Sequence, residues 1–390
     1  MTMADKLPAP DPIAQHYSDQ LLAFIRDKIA SAGGKISFAD YMQHCLYAPG
    51  LGYYSAGSQK LGQHGDFTTA PEISPLFSRT LAQHIRDVFK QTDQANIIEF
   101  GAGSGKMAID ILTELESQQS LPDTYFIIEA SADLRDRQEQ SIHASLPHLA
   151  DRVVWLAVLP NNFTGVIVAN EVCDAMPVHC LQFNNKVITE RYIENAEAGL
   201  QWCEGELSQP SLQQAATEIQ AMIGESDYLT EVNLAATAWL SSLAESLDQG
   251  AIFIIDYGYP KTSYYHPQRS NGTLMCYYQH QGHDNPLILQ GLQDITAHVD
   301  FTALAQTAID NGLDVEGFQS QADFLLAGGI TELSSSAEHL NELDHLRHAS
   351  EIKQLTLPSA MGENFKVLSL SRHLEQILAR CKLGDRRHSL

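Results

Sequence analysis

The chain is short of positive charge, of paired cysteines and of long apolar runs. Lysine and arginine number 24 against 48 aspartates and glutamates, a formal charge of −24. Phosphate backbones are gripped by Lys and Arg, so this balance argues against a general nucleic-acid binder, though a local basic groove stays open. An acidic field favours a cationic substrate instead. Six cysteines are spread over 390 residues and none forms a C-x-x-C pair, which argues against a zinc ribbon or a thioredoxin motif. Such low density suits a reducing compartment. The histidines His266, His280, His283 and His298 are irregularly spaced, so no metal site is expected. No stretch approaches the ~20 apolar residues that cross a bilayer, and membrane insertion is not expected. The opening M-T-M-A-D-K-L-P-A-P-D-P has no apolar signal core and is not Arg-rich, which predicts a cytoplasmic protein.

What is present centres on Asn96–Ala108, N-I-I-E-F-G-A-G-S-G-K-M-A. Ile97, Ile98 and Phe100 make a short apolar run around Glu99. Gly101, Gly103 and Gly105 follow at alternate positions. Met107, Ala108, Ile111, Leu112 and Leu115 then recur at helical spacing. The pattern predicts a buried strand, a tight turn and a helix start. Residues without a Cβ allow positive φ and close approach of a ligand to the main chain, and the helix start adds unpaired N–H groups. The dinucleotide fingerprint G-x-G-x-x-G would need its third glycine where Lys106 stands, which disfavours a nicotinamide dehydrogenase. The actual G-x-G-x-G after an acid resembles the S-adenosylmethionine (SAM) loop of class I methyltransferases.

The next predicted strand, Tyr125–Ile128, ends at Glu129, 24 residues after Gly105. An acid at the tip of the second strand of a β-α-β unit can accept hydrogen bonds from both ribose hydroxyls; its bland alternative is a solvated strand end or a helix cap. Val153–Leu156 and the apolar G-V-I-V-A of Gly165–Ala169 read as further strands. The latter exits into Asn170-Glu171-Val172-Cys173-Asp174, at a strand end where ligand chemistry concentrates in open α/β sheets. Two acids and an amide there can bind a cation or orient a reacting nitrogen, or can cap a helix start. Ala251–Asp256 is a fifth buried strand and places Asp256 at another exit. The polar loop Gly62–Phe77, with Asp66, Thr68 and Thr69, reads equally as a surface loop or as a ligand cover.

Several segments in one order carry a closer resemblance: Y-A-P-G-L-G-Y-Y (47–54), G-D-F-T-T-A-P-E-I-S-P-L-F (65–77), I-I-E-F-G-A-G-S-G (97–105) and A-N-E-V-C-D-A-M-P-V (169–178). With D-Y-G-Y (256–259), D-I-T-A-H-V-D-F (294–301) and M-G-E-N-F-K-V-L (361–368) they resemble the MidA family of class I SAM-dependent methyltransferases over nearly the whole chain. That family includes the mitochondrial protein arginine methyltransferase acting as a complex I assembly factor.

The resemblance implies an α/β fold, a Rossmann-like doubly wound sheet with an N-terminal helical extension and an inserted substrate subdomain. We expect residues 1–92 to form the extension and a cofactor-covering loop, and 93–375 the catalytic domain. Within it lie an insertion at about 181–233 and an irregular segment at about 260–298. Residues 376–390 read as a loose basic tail. It implies SAM as cofactor and a protein arginine as acceptor. In the SAM site Gly101, Gly103 and Gly105 give main-chain approach, with Glu99 and Asn170 beside them. Glu129 binds the ribose, and Asp66, Thr68 and Thr69 close over the methionine end. For the proton of the guanidinium, Glu171 is the first choice, with Asp174, Asp256 and His298 as alternates. Another methyl acceptor, or a non-catalytic SAM-binding assembly factor, would use the same cofactor half.

Overall fold

The computed structural model describes residues 7–55, 68–185, 187–335 and 342–390. Seven strands form its central sheet: β1 Asn96–Phe100, β2 Thr124–Ile128, β3 Val153–Leu156, β4 Phe163–Asn170, β5 Leu247–Tyr259, β6 Asp314–Ser320 and β7 Phe365–Arg372. Their order is β3-β2-β1-β4-β5-β7-β6. β1 to β5 pair in parallel, and β7 runs antiparallel to both β5 and β6. A two-residue strand, Val299–Asp300, adds to the far end of β5.

Alternation along the strands explains why helices cover both faces. In β1, Ile97 joins one apolar cluster and Ile98 the other. In β5, Ala251, Phe253 and Ile255 face the first cluster while Ile252 and Ile254 face the second. Both faces are apolar, so both must be covered. The first is covered by helices Pro75–Phe89, Lys106–Ser117 and Gln321–Ala327; the second by Leu234–Ser246 and Phe301–Asp310. This is the expected doubly wound sheet.

The N-terminal helices are locally encoded. Pro12–Ser31 starts at Asp11, whose carboxylate accepts the Ile13 and Ala14 N–H groups at 2.8 and 2.9 Å. Phe38–Tyr47 starts at Ser37, whose hydroxyl accepts the Asp40 N–H at 3.1 Å. These helices lie against a second, antiparallel sheet made by His179–Asn184, Val187–Ala196, Gly199–Gly205 and Tyr228–Val232. His179–Asn184 and Val187–Ala196 form a hairpin in which Asn184 pairs with Val187 and Asn185, at φ 45°, starts the turn. Lys35–Ser37 pairs with Val187–Ala196 and ties the N-terminal helices to the insertion.

Two expectations are corrected. The segment 260–298 is irregular only in part: Met275–Tyr278 pairs with both Gln281–His283 and Asp294–Thr296 in a three-stranded sheet. Strands of three or four residues are too short to carry a readable alternation. Nor is the tail loose. Leu378 and Cys381 are buried, and the Arg386 guanidinium pairs with Glu363 and Asp323. Its three arginines are each paired with a carboxylate.

Candidate active site

The strand order places β1 between β2 and β4, so the connections from β1 and β4 leave in opposite directions. At such a switch point the carboxyl ends of the strands open a crevice. Here the crevice is a cavity of about 240 Å³, several times the ~30 Å³ of a water molecule. Its wall comes from the glycine turn after β1, the exits of β2 and β4, the segment Thr69–Glu72, and Tyr47 and Tyr54 from the N-terminal unit.

The glycine turn behaves as its sequence predicts. Gly101, Gly103 and Gly105 have φ of 62°, 54° and 82°, a region side chains rarely adopt. Gly101 and Gly103 line the cavity. Gly105 does not; it caps the helix Lys106–Ser117, and a Cβ there would meet Gln138 at an ordinary 3.4 Å, so its positive φ rather than lack of space calls for glycine. Lys106 turns its ammonium to Asp110 at 2.7 Å.

Four glutamates line the cavity: Glu72, Glu99, Glu129 and Glu171. Glu129 accepts the Ser131 N–H at 2.9 Å and the Gln138 amide at 3.0 Å, and burial raises its carboxyl. Gln138 also donates to the Gly103 carbonyl at 3.0 Å, which joins the second strand exit to the glycine turn. Glu99 is 1% exposed and accepts the Tyr125 hydroxyl at 2.6 Å. Burial pushes it up to about 7. Glu72 accepts the Ser104 hydroxyl.

At the β4 exit, Asn170 and Glu171 both face the cavity. The Asn170 amide donates to Glu171 Oε1 at 3.1 Å, and a backbone hydrogen bond from Ala70 also supports the Glu171 anion. Burial, then the nearby Asp174 charge, nevertheless push Glu171 up to about 8. Its own backbone sits at φ 55°, an unusual geometry for a side chain larger than Asn. Asp174 lies behind it, 5% exposed, in a hydrogen bond with Tyr257. Burial raises it to about 6. The oxygens Asn170 Oδ1 and Asp174 Oδ1 are buried without a partner.

Other expected residues stand elsewhere. Asp256 is fully buried; its carboxylate accepts the Cys173, Asp174 and Tyr257 N–H groups at 3.0, 3.2 and 2.9 Å. It fixes the turn that carries Asp174 and does not line the cavity. β5 continues three residues past it to Tyr259, so Asp256 is inside the strand rather than at its exit. His298 is stacked on Tyr259 at 5.2 Å and lines a different groove, beside Glu231 and Asp300. Burial lowers it to about 4, so it is neutral. Thr69 lines the cavity while Thr68 is exposed and does not; Asp66 lies outside the described residues. Among the described residues, no group of three or more His, Cys, Asp or Glu could hold a metal.

Sequence reasoning missed Glu72, Ser104, Tyr47 and Tyr54. Tyr47 and Tyr54 bracket the turn of Y-A-P-G-L-G-Y-Y and stack at 5.5 Å. Tyr54 donates to Asp294 at 3.0 Å and Tyr47 to the Ala175 carbonyl at 3.1 Å. Their return to one wall depends on a turn whose geometry glycine and proline permit but do not announce.

A family model described as an S-adenosyl-L-methionine-dependent methyltransferase matches residues 79–319. A Burkholderia thailandensis protein solved bound to S-adenosyl-homocysteine is 42% identical with a TM-score of 0.93; the match covers 99% of this chain and 100% of that one. The human protein arginine methyltransferase NDUFAF7, mitochondrial, is 27% identical over 94% of this chain and 85% of its own. Its Drosophila melanogaster homolog is 28% identical over 90% and 86%.

Proposed function

This chain belongs to that family of S-adenosyl-L-methionine-dependent methyltransferases, and from this premise we propose that its methyl acceptor is an arginine side chain of a protein. The cofactor is SAM and the reaction class is methyl transfer, of the MidA type. The observation that carries the acceptor is chemical. Glu171 and Asn170 line the cavity beside the cofactor turn with Asp174 behind them, and Asn170 Oδ1 and Asp174 Oδ1 are buried and unpartnered. A guanidinium offers five N–H donors in a plane and no acceptor. Tyr47 and Tyr54 add aromatic faces on which such a cation stacks. The relatives named above as protein arginine methyltransferases support the same reading.

In this reading Gly101 and Gly103 admit the cofactor against the main chain and Glu129 takes the ribose hydroxyls. Thr69 covers the methionine end. Glu171 pairs with the guanidinium and turns one nitrogen toward the sulfonium methyl. The nitrogen–carbon bond forms as the carbon–sulfur bond breaks, its electron pair leaving on sulfur in neutral S-adenosyl-homocysteine. The N–H proton passes to Glu171. Methyl transfer demands alignment above all, so holding the two partners in line supplies most of the rate.

The test is transfer of labelled methyl from SAM to arginine-containing protein, located by fragment mass spectrometry, with E171Q alongside. The respiratory-complex subunit implied by the family resemblance is the first acceptor to offer. Label on arginine, abolished in E171Q, is the expected result. Label on a metabolite alone would overturn the acceptor, and SAM binding with no transfer to any acceptor would favour a binding-only role.

A further inference from the structure

One helical turn, Ala70–Ile73, touches both halves of the site. Glu72 accepts the Ser104 hydroxyl of the glycine turn, on the cofactor side. Two residues earlier, the Ala70 N–H reaches the Glu171 carboxylate, on the acceptor side. The turn itself is firmly seated. Ala70 is fully buried, and the Ser74 hydroxyl that follows donates to Glu351 at 2.8 Å. Pro71 stands in the first turn and fixes φ there. Ala70 and Glu72 are thus held in a fixed relation, and moving one moves the other.

We propose that Glu72 is a positioning residue that grips Ser104 of the cofactor turn and thereby holds the Ala70 N–H against Glu171. This rests on the reading of Glu171 given above. The clamp gives a physical reason for a long hydrogen-bond acceptor at position 72. The cavity already contains three other glutamates, and a fourth charge adds attraction for a cationic cofactor at a cost in mutual repulsion. As a hydrogen-bond acceptor for Ser104, its task is geometric, and a neutral acceptor of the same length serves as well. Glutamine keeps that acceptor and alanine removes it.

The experiment compares E72A, E72Q, S104A and E72A/S104A in the full chain, with SAM titrated calorimetrically and turnover measured on an arginine acceptor. Loss of one hydrogen bond to a carboxylate predicts a fall in kcat of about 10- to 100-fold in E72A. The SAM Kd rises, and the KM for the acceptor stays within about twofold because no acceptor contact is removed. E72Q recovers most of the lost kcat. S104A reproduces E72A, and the double variant is no worse than either, because all three break the same contact. Equal damage in E72Q and E72A would assign Glu72 an electrostatic role and overturn the clamp. So would additive losses in the double variant, or unchanged kcat and SAM affinity in E72A. If E171Q instead keeps full activity, the reading of Glu171 falls, while the SAM titrations of E72A and S104A still judge the grip on the cofactor turn.

Discussion

Glu171 combines a left-handed backbone at φ 55° with a carboxyl raised to about 8. Strained backbone persists where its surroundings over-determine it, and often at functional sites. A base at this position must be ionised to act. We therefore expect kcat/KM to rise with pH through about 8, and kcat to level off at lower pH, since bound sulfonium and guanidinium stabilise the anion. E171Q should lower kcat by about 10²- to 10⁴-fold. Stability moves the other way. The folded-state value lies above the ordinary 4.5, so the folded form holds the proton more tightly. That contribution is full below about 4.5 and is lost as pH rises toward 8. Denaturation of the free protein from pH 5 to 9 should show E171Q losing less stability than the parent, by at least roughly 1 kcal/mol at the alkaline end. E129A tests the cofactor side: loss of hydrogen bonds from a carboxylate should raise the SAM Kd about 10- to 100-fold by calorimetry. Residues at strand exits were legible because topology puts them at the crevice. Asp256 misled because β5 runs on past it, and Glu72 was invisible because its partner, Ser104, lies 32 residues away.

Among the elements, the parallel strands were the most legible, since V-I-V-A and I-F-I-I leave no alternative to burial on both faces. What the sequence did not convey is how closely they meet. Gly165 in β4 and Gly250 in β5 are register partners with φ of 142° and 141°. A Cβ on Gly165 would stand 2.1 Å from the Asn96 carbonyl oxygen of β1, and one on Gly250 would stand 1.8 Å from the Gly165 carbonyl oxygen. Both obstacles are main chain in the sheet's central three strands and cannot rotate away. G165A or G250A should therefore cost at least about 2 kcal/mol in urea unfolding, combining overpacking with backbone strain. Glycine at a strand start reads as a weak propensity signal; only the three-strand contact reveals the requirement. The small sheet of 275–296 was illegible for the opposite reason. Its strands are too short to show a period, and its pairing is set by the surrounding packing.

Across the whole molecule, the C-terminal residues close the edge of the central sheet farthest from the cofactor turn. Leu378 and Cys381 enter the same apolar cluster as β1 and β4. The Arg386 N–H donates to the Phe318 carbonyl of β6 at 2.7 Å, and the Gln319 amide to the Leu383 carbonyl at 2.5 Å. Cα and Cβ of Cys381 crowd Gly317, where a Cβ would meet them at 2.8 to 3.4 Å. The basic character of this stretch suggested a solvated tail, but Arg386 spends its charge on Glu363 and Asp323. Burying one leucine-sized side chain stabilises by about 1.5–3 kcal/mol. Removing residues 376–390 also bares the backbone of β6, an edge prone to pairing with other chains. The truncated protein should unfold at lower urea by more than the loss of Leu378 alone predicts, and should aggregate on concentration. R386A should show a smaller part of the loss, because its ion pairs are partly exposed and worth little each. β7, β5 and β4 stand between this edge and β1. Calorimetry at a temperature where the truncated form stays folded should therefore find the SAM Kd within about twofold of the parent, as expected of sites separated by three strands. A larger shift would mean that the edge and the cofactor turn are mechanically joined through the sheet.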